Sequence, residues 1–152
     1  MDFLKSIAVA ASGLRAQSGR MRIIAENIAN ADSAPSGPNA EPYRRKIPTF
    51  SQHFDAETGA TLVGTGRVRR DPSAFRTKYD PGNPAANAKG EVLMPNVNSL
   101  IENMDMREAQ RAYEANLNVI ETARTNNRLG KPVGSAYLGQ ASSMMQDQIL
   151  PA

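Results

Sequence analysis

Proline divides this chain of 152 residues into parts that can and cannot be helical. Eight of the ten prolines lie between Pro35 and Pro95, and none precedes Pro35. Because proline removes a backbone donor and clashes with the preceding helical turn, a long helix cannot cross that window. The sequence therefore predicts helices near the two ends and a different structure between them.

The first segment, residues 1–30, has the periodicity of a helix. Small and apolar residues recur at alternating spacings of three and four, which is typical of a helix that packs against other helices. Gly13 and Gly19 each cost about 1 kcal/mol relative to alanine inside a helix, so we expect this helix to be marginal alone. The predicted stripe consists of Leu4, Ile7, Ala11, Leu14, Ser18, Met21, Ala25 and Ile28.

A second helix is predicted over residues 99–129. Ser99 and Glu102 have the spacing of a capping box, in which each side chain satisfies an unpaired backbone N–H group of the other residue. Gly130 and Pro132 are the expected stop signals. Its apolar residues at helical spacing are Met106, Ala109, Tyr113, Leu117, Ile120 and Ala123.

The middle of the chain predicts a small β-rich or irregular module with long ordered loops. Short runs of extended character alternate there with glycine and proline. The apolar content is low enough for parts of the module to stay disordered until a partner covers them. The predicted extended runs are Tyr43–Phe50, Ala60–Val63, Arg67–Arg69, Phe75–Tyr79 and Glu91–Met94.

These segments predict an α+β fold, in which long N- and C-terminal helices pair as a coiled-coil layer beside the middle module. A short terminal helix is predicted within residues 142–150. The predicted regions are the N-terminal helix (1–30), the middle module (31–95), the C-terminal helix (96–129) and a C-terminal extension (130–152).

Catalytic and metal chemistry has little support in this sequence. Cysteine is absent and His53 is the only histidine, which excludes disulfides, thiolate sites and the usual zinc sites. No GxGxxG, GxxxxGK or HExxH motif occurs. Asp55 and Glu57 lie near His53, but no nucleophile or oxyanion donor accompanies them, so a polar histidine in a loop or at a strand edge is the preferred interpretation. We predict no enzymatic activity and no cofactor.

The charge distribution does not favour a nucleic-acid partner. The net charge is only +3, and the basic clusters at residues 44–46 and 67–70 alternate with carboxylates. Solvated strand faces, or contacts to an acidic protein neighbour, are the preferred interpretation. No apolar run approaches the roughly 20 residues of a membrane-spanning helix. Residues 1–11 have the look of a signal peptide, but the helical pattern continues to Ile28.

The two helical stripes admit two interpretations. Either they form the core of one self-contained antiparallel hairpin, or they pack against copies or relatives. A helix over residues 99–129 reaches roughly 45 Å, more than a compact domain of 16.4 kDa readily covers. Narrow stripes of small residues would pair and still leave apolar surface exposed, which favours assembly. The alternative function is a soluble helical-hairpin adaptor or assembly factor that binds other proteins.

Several motifs carry a resemblance to a known family. The run AENIANADS at residues 25–33, with Asn27, Ile28 and Asn30 at its centre, resembles the signature of flagellar rod, hook and filament-type axial proteins. A narrower resemblance, over residues 3–124, is to the proximal-rod proteins of the flagellar basal body. It is carried by PYRRK (42–46), YDPGNP (79–84), GEVLMPNVN (90–98) and MDMREAQRAYEANLNVIE (104–121).

This resemblance implies a structural subunit that transmits torque by packing. Such proteins are exported unfolded by the flagellar type III apparatus without cleavage, and they assemble in the periplasm into the rod between motor and hook. Their terminal helices form an inner coiled-coil layer and the middle module lies outside. The implied partners are FlgB, FlgF and FlgG-type rod proteins, FliE and other copies of the chain.

The resemblance also directs attention to particular side chains. Asn27 and Asn30 could cap the first helix or bridge to a neighbour. Gly130-Lys131-Pro132 interrupts the last helix, whereas family members usually continue it almost to the terminus, so we expect an insertion after Arg124. The residues expected to pack within and between subunits are Leu4, Ile7, Leu14, Met21, Ile28, Met106, Tyr113, Leu117 and Ile120.

Overall fold

Two long helices frame six short strands in the computed structural model, which describes residues 3–130. The predicted α+β class is confirmed. The helix predicted within residues 142–150 lies outside the described residues. In chain order the elements are α1 (Phe3–Asn30), β1 (Lys46–Ile47), β2 (Phe50–Asp55), β3 (Ala60–Thr65), β4 (Arg69–Arg70), β5 (Arg76–Tyr79), β6 (Glu91–Met94) and α2 (Ser99–Arg128).

The two helices run antiparallel and make the most extensive contact between any two elements. Asn27 in the last turn of α1 contacts Glu102 in the first turn of α2, and Gly13 lies against Asn116 farther along both helices. The side chains between the helices are small, which lets the two backbones approach closely. Fully or almost fully buried alanines are Ala10 and Ala16 on α1 and Ala109 and Ala123 on α2.

The face of α1 that is buried within the chain is not the predicted stripe. Relative to the predicted stripe, the buried residues are displaced by about one position along the sequence. One position corresponds to a rotation of roughly 100° about the helix axis. Leu4 of the predicted stripe is 67% exposed. Leu4, Ser18 and Ala25 of the predicted stripe are exposed, whereas Ile23 and Ile24, which lie outside it, are buried. The buried residues of α1 are Ser6, Ala10, Ser12, Ala16, Ile23, Ile24 and Asn27.

The beginning of α2 shows a different cap from the predicted capping box. Asn98 is the N-cap, and its Oδ1 accepts hydrogen bonds from the N–H groups of Leu100 (3.0 Å) and Ile101 (3.4 Å). Glu102 cannot serve Ser99, because its carboxylate is fully buried and bound elsewhere. The predicted end is confirmed: α2 stops at Arg128, and Gly130 has a left-handed φ of 65°.

The strands form three separate antiparallel pairs in the described part of the chain. β1 pairs with β4, β2 with β3 and β5 with β6, and no strand joins two pairs. The registers place Lys46 opposite Arg70, Phe50 opposite Thr65 and Arg76 opposite Met94. The extended run that was predicted over Tyr43–Phe50 ends at the residue where β2 begins. β2 is exposed along almost its whole length, so its sequence lacks the alternation that marks a half-buried strand.

Each strand pair is attached to α1 or its C-terminal end by a separate contact. Ser12 Oγ accepts a hydrogen bond from the N–H group of Val63 in β3 at 3.2 Å. Arg76 in β5 donates to the carbonyl oxygen of Ala31 at 2.7 Å. The β1 segment is bound through Lys46, described below. The β5–β6 pair also has a small apolar core of Ala85, Val92 and Met94.

The two glycines inside α1 are explained by close contacts. A Cβ atom on Gly13 would lie 2.7 Å from Oδ1 of Asn116, and one on Gly19 would lie 2.5 Å from Cγ2 of Thr65. Gly13 thus lets α2 approach α1 on one side, and Gly19 lets β3 approach on another. The helical cost of these glycines is offset by the packing that they permit.

Candidate functional site

A cluster of buried polar side chains joins the end of α1, the start of α2 and strand β1. Asn27 and Glu102 are both 0% exposed, and Asn27 Nδ2 donates to Glu102 Oε2 at 3.1 Å. Tyr43 and Arg45 complete the cluster from the segment that leads into β1. We call these four side chains the polar junction. It connects the helix pair with the middle module at one place.

Asn27 binds both polar groups of one backbone residue. Its Nδ2 donates to the carbonyl oxygen of Lys46 at 2.8 Å, and its Oδ1 accepts from the N–H group of Lys46 at 2.9 Å. The Tyr43 hydroxyl donates to the same Oδ1 at 2.8 Å. Only a side-chain amide offers a donor and an acceptor in this arrangement. Asn27 therefore bridges α1 to β1 and does not cap the helix.

Asn30 makes a local contact within α1. Its Nδ2 donates to the carbonyl oxygen of Glu26, four residues earlier, at 2.9 Å. Ile28, the third residue of the family signature, is half-buried. The two asparagines thus differ in their contacts: Asn27 holds the middle module, and Asn30 bonds to its own helix.

The Arg45 guanidinium neutralises the buried carboxylate of Glu102. Its Nε donates to Glu102 Oε1, and its terminal nitrogens lie 3.4 Å from Asp71 and 3.7 Å from Asp105. Burial lowers the pKa of Arg45, but the hydrogen bond and charge of Glu102, together with Asp71, outweigh it and raise that pKa. A buried carboxylate needs such a partner, because an isolated buried charge is very unfavourable.

The junction stabilises the neutral form of Tyr43. Burial, followed by the negative charges of Glu26 and Glu102, raises the pKa of the Tyr43 phenol to about 12. At neutral pH the hydroxyl is therefore a hydrogen-bond donor to Asn27. Each of the four side chains of the polar junction is hydrogen-bonded to another of them. The junction therefore has a structural function.

The basic run at residues 44–46 is occupied within the chain. The sequence left contacts to an acidic protein neighbour open for these residues, but their carboxylate partners are in the chain itself: Glu41 for Arg44, Glu102 for Arg45 and Glu26 for Lys46. Arg44 also donates to the carbonyl oxygen of Asp71 at 2.8 Å, and its guanidinium lies 4.2 Å from the ring centroid of Phe75. By contrast, residues 67–70 include exposed arginines, which agrees with a solvated face.

The sequence singled out Tyr43–Lys46 only as part of a basic cluster and a motif, and it assigned Glu102 to a helix cap. Their association was missed because the contacting groups are 57 residues apart along the chain. One feature of the sequence could have suggested this contact: Glu102 is a carboxylate at a helix position that is expected to face the interior. Glu102 precedes the buried Ala109 by seven residues and so lies on the same face of α2.

The residues predicted to pack between subunits lie at or near the surface of the described structure. Leu4 is 67% exposed and Leu117 is 41% exposed. The other seven are half-buried: Ile7, Leu14, Met21 and Ile28 on α1, and Met106, Tyr113 and Ile120 on α2. Leu14 and Tyr113 line one groove of about 440 Å³, so the structure brings these two together.

Further large apolar side chains of α2 are exposed. They include Leu100 (71%), Met104 (64%), Ile101 (51%) and Val119 (47%). Leu100, Ile101 and Met104 lie in the first two turns of α2, and Val119 lies about four turns farther along it. These side chains, with Leu4 of α1, leave both helices with apolar surface that residues 3–130 do not cover.

Residues 3–130 contain no side-chain cluster that would hold a metal ion and no helix that would cross a membrane. His53 lies exposed on β2 opposite Leu62, and no group of three or more His, Asp or Glu residues in that range could hold a metal ion. Neither α1 nor α2 is apolar enough to cross a membrane. The polar junction and the exposed helix faces are therefore the features that bear on function.

Comparison with known proteins identifies relatives over most of the chain. It is 53% identical over 125 residues to the flagellar basal-body rod protein FlgC of Agrobacterium fabrum, an alignment that covers 82% of this chain and 90% of the relative. It is 40% identical to FlgC of Yersinia enterocolitica and 39% identical to FlgC of Salmonella typhimurium, covering 82% of this chain and 92% of each relative.

Two family models also match. The model described as "Flagella basal body rod protein" matches residues 7–35, which include most of α1 and the signature at Asn27 and Asn30. A model described as "Actinobacterial sensor domain" matches residues 55–152. The flagellar relatives align with 82% of the chain, so they necessarily include most of these residues as well. The family assignment rests on these relatives, because one alignment of 125 residues at 53% identity covers 82% of this chain.

Proposed function

The chain belongs to the FlgC family of flagellar basal-body rod proteins and is a structural subunit of the rod, and from this premise we propose how it assembles. The rod-protein family points to assembly with other flagellar rod components. In our proposal the subunit polymerises in the proximal rod through its terminal helices, which form a coiled-coil layer with those of neighbouring subunits. The middle module then lies outside this layer.

The observation that carries this proposal is the outward stripe of α1. Its spacing is that of a packing helix, and Leu4, Ser18 and Ala25 within it are exposed, although Leu14 shares a groove with Tyr113 of the same chain. The stripe therefore keeps apolar surface for another molecule. The proposed intersubunit contacts on α1 are Leu4, Ile7, Leu14, Met21 and Ile28, and those on α2 are Met106, Tyr113, Leu117 and Ile120.

Torque transmission follows from stiffness in this proposal. A load on the middle module reaches the helix pair through the polar junction and through the contacts of Ser12 and Arg76 with the strands. Three of the four regions proposed from the sequence then have separate tasks: residues 1–30 and 96–129 build the layer, and residues 31–95 form the outer module. The fourth region, residues 130–152, lies almost entirely outside the described residues.

The route and the neighbours are also part of the proposal. The subunit is exported by the flagellar type III apparatus without a cleaved signal peptide and assembles in the periplasm. Its neighbours are FlgB, FlgF and FlgG-type rod proteins and FliE. The small, alanine-rich interface between α1 and α2 supports export, because a helix pair with few large buried side chains is easily unfolded.

Mass spectrometry of detergent-extracted basal bodies from the source cell tests this function. We expect the chain in that fraction with its N-terminal peptide intact apart from removal of Met1, and absent from the same preparation of a deletion strain. Recovery only from soluble fractions of flagellated cells would contradict the rod function and support the adaptor. A chain trimmed near Ala11 would contradict the proposed export route.

A further inference from the structure

Two arginines on the outward face of α1 have no ion-pair partner within residues 3–130. Arg15 and Arg22 are exposed, whereas Arg20 on another face lies within 4 Å of Asp105 and Glu108. Arg15 and Arg22 are seven residues apart, which is two helical turns or about 10.5 Å. Both line the groove that also contains Leu14 and Tyr113. The outward stripe thus has a pair of free positive charges along one edge.

Two glutamates on the outward face of α2 have the same spacing. Glu114 and Glu121 are exposed and have no ion-pair partner in the described structure, and they too are seven residues apart. Leu117 lies between them and is 41% exposed. The edge of α2 therefore matches the edge of α1 in spacing and in apolar content, with the opposite charge. Within residues 3–130 these two arginines and two glutamates are exposed and form no ion pair with one another.

The residues one heptad farther along each helix disfavour an alignment that is shifted by one heptad. On α2, Arg107 precedes Glu114 by seven residues and Arg128 follows Glu121 by seven, and both arginines are exposed. The equivalent positions on α1 are Ala8 and Ala29. A shift of one heptad would place an arginine of α1 beside Arg107 or Arg128 and leave one glutamate without a partner. Repulsion of this kind disfavours slipped registers.

We propose that the outward face of α1 in one copy of this chain docks on the Glu114–Glu121 edge of α2 in a second copy. Arg15 and Arg22 pair with the two glutamates, and the stripe at Leu14 packs on Leu117. This contact rests on the proposed rod function and names one of its interfaces. It joins two different surfaces, so it is heterologous, the type of contact that builds open helical assemblies when it does not close into a ring.

Disulfide trapping tests the contact, and the chain's lack of cysteine makes single replacements specific. Cells that lack the chromosomal copy would express Ser18→Cys and Leu117→Cys chains together, each with a different tag, and basal bodies would be extracted after mild oxidation. We expect a mixed-tag dimer when both variants are present and no dimer with either variant alone. Dimers from one variant alone, or linkage of Ser18→Cys to another rod subunit, would overturn the proposal.

Charge reversal in the same cysteine-bearing chains tests the pairing. Arg15→Glu with Arg22→Glu should reduce the mixed dimer by roughly tenfold, and adding Glu114→Arg with Glu121→Arg in the partner should restore it. The control reverses two exposed lysines of the middle module, Lys78→Glu with Lys89→Glu, and should leave the dimer unchanged. No restoration by the combined reversal would refute the pairing.

The two proposals fail in different ways. If mass spectrometry finds the unsubstituted chain in basal bodies but the mixed dimer does not form, the rod function stands and the α1–α2 contact between copies is wrong. If the unsubstituted chain is absent from basal bodies, the rod function itself is wrong.

Discussion

The amide nitrogen of Asn27 lies 3.1 Å from the carboxylate of Glu102, and both side chains are fully buried. This contact joins the last turn of α1 to the first turn of α2 across 75 residues of sequence. Ile23 and Ile24, one turn earlier on α1, are also buried. The register of the helix pair is therefore fixed at this end by hydrogen bonds as well as by apolar packing.

Replacement of Glu102 should be among the most destabilising changes in the chain. Glu102→Gln keeps the size of the side chain but removes the charge that neutralises the partly buried Arg45 guanidinium, so we expect a loss of about 3 kcal/mol in the free energy of unfolding. Urea unfolding followed by circular dichroism measures it. The matched control is Glu108→Gln on the same helix, where an exposed carboxylate lies 3.6 Å from Arg20 and the expected loss is below about 1 kcal/mol. Equal losses would contradict the importance of the junction.

The effect of a side chain at Gly19 should depend on Thr65. Gly19→Ala gains about 1 kcal/mol of helix propensity but places a Cβ atom 2.5 Å from Thr65 Cγ2. We expect a net loss of about 1 kcal/mol, because overpacking costs of 1–3 kcal/mol are usual. In the Thr65→Ser background the obstructing methyl group is gone, and the same change should become neutral or stabilising. A double-mutant cycle by urea unfolding gives the coupling energy, and a value near zero would contradict the close contact.

High pH should destabilise the fold through Tyr43. Its pKa is raised to about 12 from an ordinary value of 10.0, so the folded state favours the protonated phenol. This contribution is complete below pH 10 and is lost as the pH rises from about 10 to about 12. We expect the Tyr43→Phe variant to lose less stability than the parent over that range. Absorbance of tyrosinate during an alkaline titration gives a second measurement, since this variant should lack a component near pH 12. Loss of a component near pH 10 in its place would refute the assignment.

Acid should destabilise the fold through Asp71. The backbone N–H group of Ser73, with the Ser73 hydroxyl and Arg45, lowers the pKa of this carboxyl below its ordinary value of 3.8. A lowered pKa means that the ionised form stabilises the fold above about pH 4, and that this contribution is lost as the pH falls through the folded-state value. Asp71→Asn should therefore be less stable than the parent at pH 7, and the difference should shrink near pH 2. Asp32→Asn, at an 87% exposed side chain, is the control and should show no such difference.

The sequence was a good guide to the helices and a poor guide to their faces. Helix ends could be predicted because local signals set them: prolines exclude helix from the middle, and Gly130 terminates α2 in a left-handed conformation. The buried face of α1 could not, because Ile23 and Ile24 lie outside the regular stripe and the rest of that face consists of small or polar residues such as Ala10 and Ser12. From the sequence alone, Gly13 and Gly19 could be assessed only as residues that lower helix stability. The packing that they permit involves Asn116 and Thr65, which are distant in sequence.

The polar junction could not be predicted for a related reason. Glu102 follows the helix start at a spacing that also fits a local cap, and no local pattern distinguishes the two functions. Asn27 was recognised through a family signature, but its attachment to the backbone of Lys46 is a tertiary contact. Local sequence patterns do not predict the contacts of buried polar residues of this kind, because their partners come from other elements.

The three strand pairs share no strand, and each is fastened near α1 by its own hydrogen bond. In a continuous sheet, an added residue in one strand would shift every neighbour, whereas here such a change stays within one pair. The loop between β2 and β3, which contains Gly59 at a φ of 63°, is therefore a place where the length of the chain can vary without disturbing the helices. The middle module can change its outline in small independent steps while the helix pair, and the faces it presents, stay constant.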